Sequence, residues 1–140
     1  MLKNDKKKGE TQMIVNQILE ARNSLVKLTK AKFSEFKTTY AIYKLAKQAE
    51  NVYEMVNKEQ EKIIDIYVQK DDSGQIIVKD NQYQFSSVEN RDKFVQEINK
   101  LRAENITDIE PIELTDNDIQ FITDFAVEDM IKLDGLIIWK

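Results

Sequence analysis

The chain has 140 residues, a formal net charge of −4, and neither histidine nor cysteine. Those two absences exclude disulfides, zinc sites built on imidazole or thiolate, and catalytic triads that need an imidazole base. The charge is uneven, because residues 1–70 carry 14 basic and 9 acidic side chains whereas residues 71–140 carry 7 and 16. The two halves therefore either attract each other, within the fold or across a dimer, or form two solvated faces.

The chain contains no run of about 18 apolar residues, so no membrane-spanning segment is predicted. The start, "MLKNDKKKGE", is basic and no apolar stretch follows it, which argues against a secretory signal. We expect a cytosolic protein, with residues 1–10 as a flexible basic tail and residues 11–140 as a single helix-rich domain.

A first helix is predicted over Met13–Lys30, because apolar residues recur at spacings of three and four. The opening "MIV" could instead be a short strand. The residues that define the apolar face are Ile14, Ile18, Ala21, Leu25 and Leu28.

The strongest signal is a long helix over Ser34–Tyr67. Its seam alternates spacings of three and four, which predicts packing against another helix as in a coiled coil. The seam consists of Ile42, Leu45, Ala49, Val52, Val56, Glu59, Ile63 and Ile66. A second stripe of Phe36, Tyr40, Tyr43 and Tyr53 lies beside it. Two apolar stripes predict burial on two sides, against helices or a second subunit.

The stretch after the long helix, "YVQKDDSGQIIVKD", has the composition of an EF-hand loop. If Gly74 takes the sixth position, however, Gln69 takes the first, where a carboxylate is required, and Asp80 takes the last, where a glutamate is wanted. We therefore predict a turn, with Gly74 at positive φ, and no calcium site. "QIIV" and "QYQF" would then form a small hairpin around "KDN".

The rest of the chain predicts two further helices and two extended segments. Ser87–Glu104 follows a capping box of Ser86 and Glu89, and "ITDIEPIEL" alternates apolar and acidic residues around Pro111, as an edge strand does.

Thr115 and Asp118 form a second capping box, which opens a helix with Ile119, Ile122, Phe125 and Ala126 inward. "LDGLIIWK" predicts a turn followed by a terminal strand or an inserted anchor.

Three kinds of site can be proposed from side chains alone. Asp124 and Glu128 are four residues apart and could hold Mg²⁺ on one helix face, although exposed acids at this spacing are common. The lysines 27, 30, 32, 37, 44 and 47 surround Phe33, Phe36, Tyr40 and Tyr43, a combination that could bind nucleic acid. Because these aromatics fall at core spacing, we predict instead a buried core with solvated lysines. Finally, the acidic C-terminal half could occupy a basic groove on another protein, as nucleic-acid mimics do, or cover the chain's own lysines.

The order of elements resembles a group of small uncharacterised proteins of tailed phages and prophages of Gram-positive bacteria. The matching stretches are "YAIYKLAKQAENVYEMVNKEQEKIIDIYV", "DDSGQI", "FVQEINKL" and "IEPIELTDND", which span roughly residues 40–119. The resemblance implies a helix leading to a chain-reversing segment, then a short helix and an acidic strand. It carries no activity and no functional residue.

These observations together predict a mainly α fold (α+β): a long central helix, two or three shorter helices, and a small hairpin or edge strand. The predicted function is that of a non-enzymatic phage or prophage accessory protein acting through protein contacts, with no cofactor and no metal. The partner would be a phage or host protein or a second copy, in the cytoplasm of the bacterial host or in the virion. A nucleic-acid-directed role is the alternative. The predicted partner-binding residues are Val52, Val56, Ile63, Asp116, Asp118, Asp124 and Glu128.

Overall fold

A computed structural model describes residues 11–140, without the side chains of Thr11, Gln12 and Asp108. The predicted basic tail over residues 1–10 lies outside the described residues. In chain order the elements are β1 (Thr11–Ile14), α1 (Val15–Thr29), α2 (Phe36–Tyr67), β2 (Val78–Lys79), β3 (Gln82–Tyr83), α3 (Val88–Arg102), β4 (Asn105–Ile109), β5 (Ile112–Leu114), α4 (Asp116–Ile119), α5 (Val127–Lys132) and β6 (Ile137–Trp139). The predicted fold class, mainly helical with a long central helix and small strand pairs, is confirmed.

The described chain divides into two compact units, and the organisation of residues 11–140 as a single domain stays a prediction. Unit 1 combines the described residues up to Tyr53 with Asn105–Lys140, and unit 2 comprises Glu54–Glu104. The long helix α2 contributes its N-terminal part to unit 1 and its C-terminal part to unit 2. Within the described residues, no helix combines the length and the apolar character needed to cross a membrane.

Two strand pairs frame unit 1. β1 runs antiparallel to β4, with Met13 opposite Ile106, and β5 runs parallel to β6, with Leu114 opposite Trp139. The strand alternative for the opening "MIV" is correct for its first two residues. Met13 and Ile14 belong to β1, and the helix begins at Val15.

The strand predicted over residues 106–114 is two strands with different partners. β4 ends at Ile109 and β5 begins at Ile112, with Pro111 between them. Proline has no N–H to donate to a ladder, so the chain leaves one partner at this point and takes another. The predicted orientation is confirmed: Ile109 is buried and Ile112 contacts the core, whereas Glu110 and Glu113 are exposed.

The core of unit 1 consists of apolar side chains from one face of each of its larger elements. Leu28, Leu133 and Leu136 are completely buried. The C-terminal segment therefore is an inserted anchor as well as a strand, because Leu136 and Ile137 lie inside this core while β6 pairs with β5. The other buried apolar members include Ile18, Leu25, Ile42, Leu45, Ala49, Ile109 and Leu114.

An ion pair joins α1 to α2. The guanidinium of Arg22 donates to both carboxylate oxygens of Glu50, each at 2.9 Å, and lies 3.7 Å from the centroid of the Tyr53 ring. The hydrogen bonds from Arg22 hold the pKa of Glu50 below its ordinary value. The two parallel hydrogen bonds of this pair favour one position of α1 along α2.

The predicted fourth helix is two short helices. α4 ends at Ile119 and α5 begins at Val127, and between them Asp124 has a φ of +58°. A left-handed residue cannot continue a right-handed helix. Ile122 is buried and Phe125 contacts the core as predicted, but Ala126 is exposed, so its predicted inward position is wrong. The capping box of Thr115 and Asp118 is confirmed, with Thr115 N–H donating to the Asp118 carboxylate at 2.9 Å.

Unit 2 contains the end of α2, the β2–β3 hairpin and α3. The hairpin was predicted, and it turns through Asp80 and Asn81, both at positive φ, as a two-residue type I′ turn requires. The N-cap of α3 is Ser87, one residue later than predicted, and its hydroxyl accepts from the Asn90 N–H at 3.1 Å.

Candidate functional site

The most strongly connected polar group in unit 1 lies between α1 and α5. The Ser24 hydroxyl donates to one oxygen of the Asp129 carboxylate at 2.7 Å, and the Lys27 ammonium donates to the other at 2.9 Å. The Ala126 N–H also donates to Asp129 at 2.9 Å, and Lys27 reaches the backbone carbonyl of Asp124 at the same distance. Each oxygen of this carboxylate therefore has at least one donor.

These donors stabilise the charged form of Asp129. The hydrogen bond from Ser24, with those from Ala126 and Lys27, lowers the pKa of this carboxyl from its ordinary value of 3.8 to about 2. A carboxylate with so low a pKa is a weak base at neutral pH. The group acts as a structural link that caps α5 and ties it to α1.

Asp129 belongs to the acidic C-terminal half, for which the sequence predicts a charged surface and not this link. The available signal was Ser24, which lies on the apolar stripe of α1 beside Ala21 and Leu25. A hydroxyl on a buried face requires a hydrogen-bond partner, and a carboxylate from elsewhere in the chain is the natural candidate.

The four acids predicted to bind a partner are dispersed over unit 1. Asp118 is occupied in the capping box of α4, Asp116 lies exposed in the same first turn, and Glu128 pairs with Lys132 at 3.2 Å. Asp124 lies in the connection before α5, so it does not share a helix with Glu128. The proposed Mg²⁺ geometry on one helix face is therefore wrong.

The three apolar residues predicted to bind a partner are covered to different degrees. Val52 contacts the core of unit 1, Val56 is only 4% exposed, and Ile63 is half-buried. Val52 and Val56 thus serve the chain's own packing. The last residue of the predicted seam, Ile66, is 68% exposed, so its predicted burial does not occur within the chain.

Unit 2 leaves many large apolar side chains in water. Of its residues, only Val56 and Val68 belong to the buried apolar class, and α3 has no buried residue. We call the following side chains the exposed apolar set of unit 2: Met55, Ile66, Ile76, Val78, Tyr83, Val88 and Val95. Met55 and Ile66 are 11 residues apart, about three turns, so they lie on one side of α2. Val88 and Val95 are seven apart and likewise share one side of α3.

The hairpin of unit 2 packs on α3 through aromatic rings. Tyr83 meets Phe94 edge-on at a centroid distance of 5.9 Å, and Phe85 lies 5.2 Å from the same ring. An open cleft of about 720 Å³ follows this contact and is lined by both elements, including Val88, Arg91 and Val95. Members of the exposed apolar set therefore border a concave surface.

A second exposed surface occupies the N-terminal part of α2. Phe36, Tyr40 and Tyr43 were predicted to be buried, and this is wrong: Phe36 is 78% exposed and the two tyrosines are about half exposed. The rings stack on one another, with centroids 5.9 and 6.2 Å apart and planes within 18° of parallel. The earlier residue Phe33 is buried, so only the first part of the predicted aromatic group serves the core.

Three lysines share this side of the helix. Phe36, Tyr40, Tyr43 and Lys47 follow spacings of four, three and four, and Lys37 and Lys44 flank Tyr40. The Lys44 ammonium lies 5.2 Å from the centroid of the Tyr40 ring. We name these six residues the aromatic–lysine face; the opposite side of the same helix carries the buried Ile42 and Leu45.

The neighbourhood of this face is not uniformly basic. A recess of about 310 Å³ is lined by Tyr43, Lys44, Lys47 and the carboxylate residue Glu110. An adjoining groove of about 450 Å³ between α2 and the β4–β5 connection contains Lys37 together with Glu35 and further acids. The lysines therefore have acidic neighbours along one edge of the helix.

The loop that resembled a calcium site is organised by one of its own carboxylates. One oxygen of Asp71 accepts from the N–H groups of Ser73 and Gln75 and from the Ser73 hydroxyl, at 2.6–3.0 Å. The bond from the Ser73 hydroxyl is the main reason that the pKa of Asp71 is lowered. Gly74 has a φ of +87°, as the turn was predicted to require. In the described part of the chain, no three acidic side chains converge as ligands for a metal ion.

Comparisons with protein-family models, with curated proteins and with solved structures gave no match to this chain.

Proposed function

We propose that this chain is a non-enzymatic phage or prophage accessory protein that works through contacts with other protein chains. The partner that we propose first is a second copy of the same chain. The observation that carries the proposal is the exposed apolar set of unit 2. Single exposed apolar residues are ordinary, but two pairs of this set share one side of a helix and others border the cleft between the hairpin and α3, which supports a surface that another molecule covers. The phage assignment rests on the resemblance of residues 40–119 to small proteins of tailed phages.

The described residues offer no spare apolar segment to cover this surface. The C-terminal stretch was the first candidate, but Leu136 and Ile137 lie inside the core of unit 1 and β6 is paired with β5. A second copy is favoured because α2 continues its three-and-four spacing up to the exposed Ile66. A repeat of this kind is typical of helices that pack against an equivalent helix.

The acidic half supports a partner role less well. Asp118 caps its own helix, Glu128 is paired with Lys132, and Asp129 is buried against Ser24. Three acids of this half are therefore engaged within the chain, which reduces the support for the continuous negative surface that mimicry of nucleic acid requires.

The test is light scattering of the purified chain across a range of concentrations, with and without Ile66→Lys. Ile66 has about two thirds of its surface left to bury, which is worth about 1–2 kcal/mol, and a two-fold dimer counts it twice. The substitution should therefore weaken the dimer at least about 30-fold.

The matched control is Ile131→Lys on α5 in unit 1, where the isoleucine is 69% exposed. This variant carries the same chemical change at the same exposure and should leave the dimer intact. A wild-type chain that stays monomeric at high micromolar concentration would contradict the second-copy proposal. Equal weakening by both lysine variants would mean that the added charge acts wherever it is placed, and would contradict a contact specific to unit 2.

A further inference from the structure

We propose that the aromatic–lysine face of α2 is a binding site for single-stranded nucleic acid. The site lies on unit 1, so it is independent of the proposed contact through unit 2. It consists of three exposed rings, Phe36, Tyr40 and Tyr43, which share one helix side with three lysines.

The rings lack the role that aromatic residues usually have in a small protein. They lie opposite the buried side of α2 and contact one another in water, with planes within 18° of parallel. Exposed rings of this kind offer flat apolar surfaces on which unpaired bases can stack. A duplex conceals the faces of its bases, so the arrangement favours a single strand.

The lysines decide the class of partner. An apolar protein interface is depleted of lysine at its centre, whereas here Lys44 lies beside Tyr40 and Lys47 follows Tyr43 by one helical turn. Alternation of rings and ammonium groups matches a strand that presents bases and phosphates in turn. The net charge of the whole chain is −4, but phosphate contacts depend on the local field of the face.

Glu110 is the carboxylate that opposes binding. It lines the same recess as Lys44 and Lys47 and would lie close to a phosphate held by those lysines. Glu110→Gln should therefore tighten binding, by a few-fold, whereas a role confined to stability would leave affinity unchanged.

The experiment is fluorescence anisotropy of a labelled thymidine dodecamer titrated with the full chain. We expect dissociation constants of about 1–100 μM, a range usual for non-specific binding. With three phosphates neutralised on a single strand, affinity should fall about 20-fold between 50 and 200 mM salt. The combined variant Tyr40→Ala, Tyr43→Ala should lose at least about 25-fold in affinity, since each stacked ring contributes about fivefold or more.

A matched control is available in unit 2. Lys62→Gln removes an exposed lysine of α2 and should not alter binding. Far-UV circular dichroism verifies that every variant is folded, which we expect because the replaced side chains are exposed.

Three outcomes would overturn the proposal. The first is no binding of the dodecamer at 50 mM salt. The second is binding of a mixed-sequence duplex as tightly as the single strand, with no loss in the tyrosine variant, which would mean general attraction of phosphate. The third is binding of a poly-glutamate peptide with the same affinity as the dodecamer, if Lys44→Gln abolishes that binding and the tyrosine variant retains it. This result would identify an acidic protein as the partner instead.

Discussion

Asp129→Asn offers the sharpest test of what holds unit 1 together. The carboxylate is 7% exposed and receives hydrogen bonds from Ser24, Lys27 and the Ala126 N–H. The amide of asparagine is uncharged, and its N–H groups would face the hydrogen-bond donors that now bind the carboxylate. The Lys27 ammonium would also lose its charged partner. We therefore expect a loss of stability at neutral pH.

The magnitude follows from the pKa. Lowering the Asp129 pKa from 3.8 to about 2 corresponds to about 2.5 kcal/mol in favour of the folded state when the carboxyl is charged, at about 1.4 kcal/mol for each pKa unit. Solvent reaches Lys27, whose side chain is 37% exposed, so we reduce this value to about 2 kcal/mol for the whole link. Because the pKa is depressed in the folded state, this stabilisation is complete above about pH 4 and disappears as the pH falls toward 2.

The assay is urea unfolding of the wild type and Asp129→Asn at several pH values between 7 and 2. The difference in unfolding free energy should be about 2 kcal/mol at pH 7 and should shrink toward zero near pH 2. Glu128→Gln is the matched control, since it removes the neighbouring carboxylate from an exposed ion pair and should change stability by less than about 0.5 kcal/mol. A difference between wild type and Asp129→Asn that is small at pH 7, or that does not depend on pH, would refute the reasoning.

The remaining predictions concern stability at other positions. Val56→Asp places a carboxylate where the side chain is 4% exposed, and we expect a loss of about 3–5 kcal/mol, measured by denaturant unfolding; a loss below about 1 kcal/mol would mean that Val56 is accessible to water. Gly74→Ala should cost about 1–2 kcal/mol from backbone strain alone, because φ is +87° and no atom lies within 4 Å of the added methyl group, and an unchanged unfolding midpoint would contradict this. Reversing the charges of Glu110 and Glu113 should shift stability by no more than about 0.5 kcal/mol in thermal unfolding, because both are exposed; global unfolding would mean that the β4–β5 connection depends on these charges.

The sequence by itself determined the elements whose signals are local. The long three-and-four repeat predicted α2, Gly74 and the residues around Asp80 predicted the turn and hairpin, and Thr115 with Asp118 predicted a helix start. Each of these patterns depends on neighbours within a few positions, so the backbone chemistry of the segment is sufficient to specify it.

Only the tertiary structure decided which apolar stripe is covered. Ile42 and Phe36 both lie on periodic apolar rows of α2, but one is buried and the other is exposed. Periodicity identifies the side of a helix on which a residue lies; whether another element covers that side depends on packing between segments that are distant in the chain. For the same reason the link between Ser24 and Asp129, 105 positions apart, could not be read from either local pattern.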